Sequence, residues 1–309
     1  MSKGENKKAV VFGGSGFLGS HVVDALTEAG FDVTVFDLNE SKYLKNSIHM
    51  VTGDILDSSE VYEVIDGTDI VFHFAGIADI KEANEKPADA VKYNILGTTN
   101  ILDACVKAKV SRFLFASTVY VYSEHGGFYR STKQACELLI ENFQKTYGLD
   151  FTILRFGSLY GRRANEFNWI NEIIIQALTE GKMQRKGDGE ELRDYIHVKD
   201  AAQACVDLLD DEYRNQYLVI SGTQTIKVKE LLKMINEMMD NQIDIEYLNE
   251  HMSGHYEVTP YTFRPRMAKK YIGRTSVELG QGILDTIYDV YKELKRSEGE
   301  KPIINLPQD

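Results

Sequence analysis

The chain has 309 residues, of which 43% are apolar and 27% are charged, and its formal net charge at pH 7 is -12. This composition is typical of a globular protein, and the length suits one large domain or two closely associated ones. The acidic balance excludes a general nucleic-acid-binding protein, which would present a basic surface.

Short apolar segments alternate with longer amphipathic segments through the first 160 residues. The helical spacing of apolar residues is clearest in HVVDALTEAG, AVKYNILGTTNILDACVKA and STKQACELLIENFQKTYG. The short segments are rich in Val, Ile and Phe, as strands buried on both faces are: AVVFGG, DVTVFD, IHMVTGD, DIVFHFAG, RFLFAST and FTILRFGS. The alternation predicts an α/β fold with a doubly wound parallel sheet and helices on both faces.

The pattern loosens after about residue 160. NWINEIIIQALTEG and VKELLKMINEMM predict helices, QYLVISG predicts one more strand, and the chain ends in a mixed helical region with a polar tail. We therefore predict a sheet domain over residues 1–165, to which the chain returns near 194–223. A smaller C-terminal mixed α/β lobe is predicted over 166–309.

The cysteines and the apolar content bear on location. Cys105, Cys136 and Cys205 have no paired spacing, which predicts small buried side chains and neither a disulfide framework nor a metal site. The N-terminal MSKGENKK is polar, and no segment approaches the ~20 apolar residues of a membrane span. We expect a cytoplasmic protein with neither a membrane nor a nucleic acid as partner.

The segment VVFGGSGFLGSHVV places Gly13, Gly16 and Gly19 between a predicted strand and a predicted helix. Glycines in this context allow a tight turn, let the backbone approach a pyrophosphate and let helix and strand pack closely. The helix N-terminus adds unpaired N–H groups and a favourable dipole. The segment predicts a Rossmann-like dinucleotide site, with Phe17 and Leu18 among the cofactor contacts.

Asp37 ends the second predicted strand, near the ~20-residue distance after the glycines at which a ribose-binding carboxylate is expected. A carboxylate accepts hydrogen bonds from both ribose hydroxyls and repels a 2′-phosphate. The residue therefore favours NAD over NADP.

Several segments together resemble the short-chain dehydrogenase/reductase superfamily and cover most of residues 8–160. The spacing Gly-x-x-Gly-x-x-Gly is one, and GDILD, HFAG and YNILGTTNIL are others. The resemblance implies that Asp54 contacts the adenine, with Ile55 also at the cofactor. It implies that Ala75 lies along the cofactor and that Asn94 has a structural role.

The same resemblance assigns a catalytic unit. Alignment of FASTVYVYS with the family's usual Val-Tyr-Gly makes Thr118 the catalytic Ser/Thr. Tyr129 and Lys133 in YRSTK supply the Tyr-x-x-x-Lys pair, and a four-residue spacing puts both on one helical face. Ser117 is a candidate substrate contact beside Thr118. Alone, the pair would more often be ordinary residues at the start of a helix, but together with the glycine loop, Asp37 and Thr118 it favours catalysis.

The residue types suit oxidation of a hydroxyl group. Tyr129 would be the base, but a free tyrosine has a pKa near 10, and lowering it to ~7 takes about 4 kcal/mol. The ammonium of Lys133 and the positive nicotinamide both act in that direction. Lys133 would also hold the nicotinamide ribose, and Thr118 would orient the reacting oxygen.

The segment GDGEELRDYIHVKDAA resembles the Arg-Asp-Tyr-Ile-His-Val-x-Asp stretch of the extended branch, the nucleotide-sugar epimerases and dehydratases. Arg193 is a bidentate donor suited to a diphosphate. Arg162 and Arg264 are further candidates for an anion site, although a solvated surface position is the alternative for each. The expected substrate is a nucleotide-diphosphate sugar, bound mainly by the C-terminal lobe.

The two residues that directly follow Thr118 discriminate between possible reactions. In the extended branch, 4,6-dehydratases have an Asp-Glu pair there and decarboxylases have a Glu, whereas this chain has Val119 and Tyr120. Neither side chain is a carboxylic acid, which favours 4-epimerisation through a 4-keto intermediate. A C4 dehydrogenase that releases the ketone is the alternative, and an NAD(H)-sensing protein without catalysis is an alternative of another class. Asp37 and Arg193 argue against an NADPH-dependent reductase of small ketones.

Two features separate the chain from the usual family pattern. Only EHGGF lies between Ser123 and Tyr129, where the family has a longer, proline-containing segment, and Arg130 replaces the usual glycine. The identities of the nucleotide and of the sugar in the substrate therefore stay open.

The resemblance also implies a homodimer formed by two helices, over residues 94–108 and after Tyr129. Their apolar candidates for the interface are Leu102, Cys105, Leu138 and Leu139.

Overall fold

The structure is a computed structural model that describes residues 7–45, 47–165, 167–248, 269–273, 276–296, 302–304 and 306. Arg264 lies outside these residues. The strands in chain order are β1 Lys8–Phe12, β2 Asp32–Asp37, β3 His49–Thr52, β4 Ile70–His73, β5 Arg112–Thr118, β6 Phe151–Phe156, β7 Ser158–Tyr160, β8 Lys182–Lys186, β9 Leu192–His197, β10 Gln216–Ile220, β11 Thr225–Lys227, β12 Asp244–Leu248 and β13 Lys269–Lys270.

Ten α-helices lie in the described ranges. They are α1 Phe17–Glu28, α2 Ser58–Ile65, α3 Ile80–Glu85, α4 Pro87–Ala90, α5 Thr98–Lys107, α6 Gly127–Tyr147, α7 Trp169–Glu180, α8 Val198–Asp207, α9 Val228–Met238 and α10 Leu279–Arg296. A π-helix spans Val91–Gly97, and 3-10 helices span Val119–Tyr122 and Asp211–Tyr213. Of the helices described, none is long and apolar enough to cross a membrane.

The chain forms two compact units. The first contains Met1–Phe156, Ala201–Ile220 and Pro260–Gly273, and the second contains Gly157–Asp200, Ser221–Thr259 and Arg274–Asp309. The chain thus leaves the first unit after β6 and returns to it through most of α8 and β10. The assignment of cofactor binding to residues 1–165 and of substrate binding mainly to 166–309 stays a prediction.

The first unit is built on an eight-stranded sheet with the order β13-β10-β6-β5-β4-β1-β2-β3. Every neighbouring pair in it is parallel. The strand order reverses between β1 and β4, and in open parallel sheets such a switch point opens a crevice at the carboxyl ends of the strands. The predicted α/β fold with a Rossmann-like parallel sheet is confirmed.

Apolar side chains fix how the helices cover this sheet. Val10 and Phe12 alternate with Val11 along β1, so they project from one face. On that face they join a buried cluster with Val61 from α2, Ile101 from α5 and others. Cys105, Cys136 and Cys205 are all free and buried, as the sequence predicted.

The predicted helix over AVKYNILGTTNILDACVKA is not one regular α-helix. Its first part is the π-helix, which runs directly into α5. Gly97 ends the wide turn, and a Cβ atom there would lie 2.5 Å from Cδ1 of Ile55. A side chain at this position would have to displace that of Ile55, in the loop after β3.

In its described residues, the second unit contains two small sheets and three amphipathic helices. β7, β9 and β11 form one sheet, with β7 parallel and β11 antiparallel to β9, and β8 pairs with β12. α7, α9 and α10 contribute a separate apolar core that includes Ile174, Leu231 and Ile287. This is the mixed α/β composition expected of the C-terminal lobe.

Candidate active site

The glycine loop follows β1 at the switch point of the large sheet. Gly13 has a φ of 79°, which favours glycine, and a Cβ atom there would lie 2.6 Å from the backbone nitrogen of Ala75. A Cβ atom at Gly19 would overlap the carbonyl oxygen of Gly13. The loop is therefore packed tightly between α1 and the turn after β4.

The N-terminus of α1 is open to a ligand. Gly16 is the N-cap residue, and within the described ranges no side chain hydrogen-bonds to the first turn as a cap. Phe17 and Leu18, both half-buried, begin the helix. The N–H groups of this turn point out of the helix end, where they and the helix dipole favour a phosphate.

Asp37 lies at the end of β2, beside the glycine loop. Its Oδ2 accepts a hydrogen bond from the backbone nitrogen of Ser15 at 3.0 Å, and its Oδ1 accepts one from that of Asn39 at 3.2 Å. The half-buried carboxylate keeps acceptor capacity beyond these two bonds, because two carboxylate oxygens offer about four lone-pair sites. This arrangement fits the hydroxyls of an adenosine ribose.

The remaining predicted cofactor residues follow the neighbouring strands. Asp54 comes shortly after β3, where its Oδ1 accepts from the backbone nitrogen of Leu56 at 2.9 Å. Ile55 is buried, and Ala75 follows β4 against the glycine loop. Because these strands are parallel, their carboxyl ends meet at one edge with Asp37, and the set fits NAD.

The proposed catalytic residues come together at the end of β5 and the start of α6. The Thr118 side chain lies near the Tyr129 hydroxyl and acts to lower the pKa of that phenol. Lys133 lies one turn further along α6; its Nζ donates to the carbonyl oxygen of Ala116 at 2.8 Å and lies 5.9 Å from the centre of the Tyr129 ring. Tyr129 and Lys133 thus share one helical face turned toward the sheet, as their spacing predicted.

Burial shifts the pKa values of both Tyr129 and Lys133, apart from any effect of the cofactor's charge. Burial raises the pKa of Tyr129 to about 12, although the Thr118 side chain acts to lower it. Burial lowers the pKa of Lys133 to about 8, against the opposing influence of Cys136 and Glu137. The lysine is mainly charged at pH 7. The phenol starts further from ionisation than a free tyrosine, so bringing its pKa to ~7 takes about 7 kcal/mol rather than the 4 kcal/mol expected from the sequence.

Two asparagines, Asn94 and Asn84, hydrogen-bond to α6. Of these, only Asn94 was singled out from the sequence. Asn94 Nδ2 donates to the carbonyl of Ile77 and to the Thr132 hydroxyl, both at 3.0 Å, so it joins the turn after β4 to α6. Asn84 in α3 accepts from the backbone nitrogen of Phe128 at 3.1 Å. It acts as an N-cap from another helix, because Gly126 at the helix start has no side chain.

The short segment before Tyr129 is closed by local contacts. Arg130 Nη1 donates to the carbonyl oxygen of Ser123 at 2.7 Å, across the segment that the family usually makes longer. Gly126 and Gly127 have φ angles of 94° and 51°, and a Cβ atom at Gly127 would overlap Asn84. The arginine in place of the usual glycine therefore holds this short connection together.

Ser117 is buried, and its hydroxyl donates to Oε1 of Glu137 at 2.6 Å. The same carboxylate pairs with Arg155 from β6 at 2.6 Å. The sequence analysis singled out neither Glu137 nor Arg155, since a glutamate in an amphipathic helix ordinarily faces solvent. The role of Ser117 as a substrate contact stays a prediction.

Two of the predicted anion-binding arginines, Arg193 and Arg162, belong to the second unit. Arg193 lies on β9, is buried, and donates from Nη1 to the carbonyl oxygen of Leu192 at 3.0 Å. Arg162 follows β7, has a side chain 57% exposed, and its Nε lies 3.1 Å from Oδ2 of Asp289. Arg264 lies outside the described residues.

The parallel sheet, the glycine loop at its switch point and the Thr-Tyr-Lys group define a dinucleotide-dependent oxidoreductive enzyme. A family model described as the NAD dependent epimerase/dehydratase family matches residues 9–220. The chain belongs to the NAD-dependent epimerase/dehydratase family. The expected enzyme class and the expected cofactor, NAD, are thereby confirmed.

Individual relatives extend this comparison. The chain is 29% identical to a UDP-N-acetyl-α-D-glucosaminuronate decarboxylase of Bacillus cytotoxicus, over 78% of this chain and 83% of that protein. It is 29% identical to a UDP-glucose 4-epimerase of Azospirillum brasilense, over 64% of this chain and 67% of that protein. The structure of a UDP-glucose 4-epimerase with UDP-glucose from Thermotoga maritima superposes with a TM-score of 0.80 at 26% identity, covering 93% of this chain and 99% of that one.

Proposed function

We propose that the protein oxidises C4 of a nucleotide-diphosphate sugar and reduces the resulting ketone on its other face, as a 4-epimerase. The observation that carries the proposal is that Thr118 lies beside Tyr129, with Lys133 one turn along the helix. This is the arrangement needed to remove a hydroxyl proton. The relatives' action on UDP-sugars supports the substrate class.

Tyr129 takes the proton of the C4 hydroxyl, and Thr118 holds that oxygen through a hydrogen bond. Bound NAD supplies the acceptor for the C4 hydride and the donor that returns it. Lys133 stabilises the phenolate of Tyr129 by its charge. In the second half of the reaction Tyr129 returns the proton to the ketone oxygen, so protons and electrons balance over the cycle.

The turn after β5 supports epimerisation over decarboxylation or dehydration. Val119 is buried, and Tyr120 is half-buried with its ring edge-on to the ring of Tyr129, 6.4 Å between centres. This turn therefore places no carboxylic acid beside Tyr129. A second acid/base, which expulsion of water needs, is missing from the two positions where we expect it.

Arg193 and Arg162 are the proposed contacts of the nucleotide diphosphate. Arg193 is buried and carries a planar guanidinium that can bind two phosphate oxygens at once. Arg264 remains a candidate from the sequence. We assign substrate binding mainly to the second unit on this basis, and cofactor binding to the first unit.

We further propose a homodimer formed through the π-helix and α6. Val91, Leu96 and Leu138 are 47%, 50% and 45% exposed on these two elements. Apolar side chains exposed together favour an interface. Two of the candidates taken from the sequence were wrong, because Leu102 and Cys105 are fully buried in the chain's own core. Leu139 is half-buried.

The proposal is tested with purified protein, NAD and a panel of UDP-, GDP-, CDP- and TDP-sugars. The sugars are followed by NMR and the reduced nicotinamide by its absorbance. We expect a new C4 epimer with no lasting NADH. Accumulation of NADH with a 4-keto sugar would replace the epimerase with the C4 dehydrogenase. NAD binding without turnover of any sugar would favour the sensing protein.

A further inference from the structure

A buried ion pair lies directly behind the catalytic residues of the first unit. Glu137 accepts hydrogen bonds from Arg155 Nε at 3.0 Å and from Nη2 at 2.6 Å. The two residues are 2% and 1% exposed. Glu137 lies one helical turn after Lys133 on α6, and Arg155 lies on β6 next to the end of β5.

The pair extends to the strand that ends in Thr118. Ser117 donates to Oε1 of Glu137 at 2.6 Å, and it lies opposite Arg155 in the β5–β6 register. Arg155 Nη1 also donates to the Tyr122 hydroxyl at 2.5 Å, in the 3-10 turn that follows Thr118. One network thus connects β5, the turn after it, α6 and β6.

This network is a poor source of stability compared with an apolar alternative. Burying two charges is costly, and replacing a buried ion pair with well-packed apolar residues is often neutral or stabilising. Burial acts to lower the pKa of Arg155, and hydrogen bonding to Glu137 and its charge outweigh that effect, so the pKa is raised and the guanidinium stays charged. Its geometric effect is more specific, because the bidentate pair and the Ser117 bond have defined directions.

We propose that Glu137 and Arg155 are positioning residues, which hold the end of β5 against α6 so that Thr118 meets Tyr129. The pair itself does not touch the reacting atoms. The effect on turnover rests on the proposed function, whereas the effect on local order does not. A displacement of about 1 Å in a catalytic group can lower a rate ~100-fold.

Two double variants separate positioning from stability. Glu137→Leu with Arg155→Met removes both charges and keeps the site apolar. Glu137→Gln with Arg155→Met also removes both charges but leaves an oxygen that can accept from Ser117. We expect both to melt within a few degrees of the wild type and to bind NADH normally. We expect kcat to fall about 10- to 100-fold in the first and less in the second, with KM little changed.

Hydrogen exchange supplies a readout that needs no substrate. In Glu137→Leu with Arg155→Met we expect faster amide exchange in residues 115–122 and 127–133 and unchanged exchange elsewhere in the sheet. The control is Thr152→Val on the same strand β6, which removes a buried hydrogen bond from Arg112 at 2.8 Å. It should lower the melting temperature and leave both kcat and the exchange of these two segments unchanged.

Wild-type kcat and wild-type exchange in the leucine–methionine variant would overturn the proposal. If that variant does not fold, Ser117→Ala decides instead, since it leaves the ion pair intact. Faster exchange of residues 115–122 at an unchanged melting temperature supports the proposal, and unchanged exchange contradicts it. If the wild type turns over no sugar, the proposed function fails, but the exchange comparison still decides the positioning role.

Discussion

Lys133 donates a hydrogen bond from Nζ to the carbonyl oxygen of Ala116 at 2.8 Å, two residues before Thr118. This bond ties the ammonium on α6 to the strand that ends in Thr118, the proposed catalytic threonine. Burial lowers the pKa of Lys133 to about 8 without removing its charge at pH 7. The lysine can therefore both place α6 and favour the phenolate of Tyr129.

Tyr129→Phe removes the proposed base. We expect kcat to fall by about 100- to 10,000-fold, the usual contribution of a positioned acid/base, while NADH binds as before. The measurement is turnover of the active sugar together with a fluorescence titration of NADH. Tyr147→Phe is the matched control, because Tyr147 lies at the far end of the same helix and is 61% exposed. An unchanged kcat in Tyr129→Phe would remove Tyr129 from the mechanism.

Lys133→Met tests the charge beside the phenol. A nearby cation lowers the pKa of a phenol, so its loss raises that pKa. The acidic limb of kcat against pH, along which the rate rises as the base loses its proton, should then move to higher pH, and the rate at pH 7 should fall. The check is a pH–rate profile of both proteins at saturating NAD. A fall in rate with no displacement of the limb would show that Lys133 only binds the ribose.

Asp37→Asn tests the choice of cofactor. The amide keeps the size of the side chain but removes the negative charge that repels a 2′-phosphate. We expect NADH to bind roughly 10-fold more weakly to the variant. The ratio of the affinity for NADH to the affinity for NADPH should also become smaller. Isothermal titration with each cofactor measures both effects. Asp32→Asn, at the exposed start of the same strand, is the control. Equal effects of the two substitutions would point to net charge and away from a ribose contact.

Because His73 is buried, we expect the folded protein to lose stability in acid. The histidine lies on β4, with Nε2 2.8 Å from the Thr98 hydroxyl, and burial together with the charge of Lys133 lowers its pKa to about 3. The unfolded chain takes up this proton below about pH 6.5 and the folded chain does not until about pH 3. Stability therefore falls as pH drops through this range, by about 1.4 kcal/mol per pH unit from this group.

His73→Gln stays neutral and should show a correspondingly smaller slope of unfolding free energy between pH 6 and 4. Denaturant unfolding at several pH values measures it, and the carboxylates contribute to both proteins alike. His125→Gln, at an exposed position, should keep the wild-type slope. Parallel curves for His73→Gln and the wild type would contradict the buried neutral imidazole.

Leu138→Glu tests the proposed homodimer. A charge on the exposed apolar position of α6 should dissociate the dimer, because desolvating an unpaired carboxylate is costly. Sedimentation equilibrium gives the mass. Ile272→Glu, which places the same charge at a side chain that is 62% exposed, should leave the mass unchanged. If the wild-type protein is a monomer, the proposed homodimer is wrong.

Several parts of the site could be predicted because they are local in sequence. The glycine spacing and the carboxylate at the end of β2 each lie within one segment of strand, loop and helix. The Tyr-x-x-x-Lys pair lies within one helical turn. Burial on both faces of a parallel sheet gives continuous apolar strands, so the fold class followed as well. The π-helix was not predicted, because the helical spacing of its apolar residues does not distinguish it from an α-helix.

The sequence by itself determined the parallel α/β sheet and the cofactor loop, since short-range spacing and periodicity specify them, and its resemblance to the family identified Tyr129 as the proposed base. The tertiary structure alone decided that Glu137 faces Arg155 and Ser117, that Asn84 caps α6, and that Leu102 is core while Leu138 is exposed. The physical reason is the same in each case. A polar or apolar residue on a helix can face protein or solvent, and only the neighbouring elements determine which.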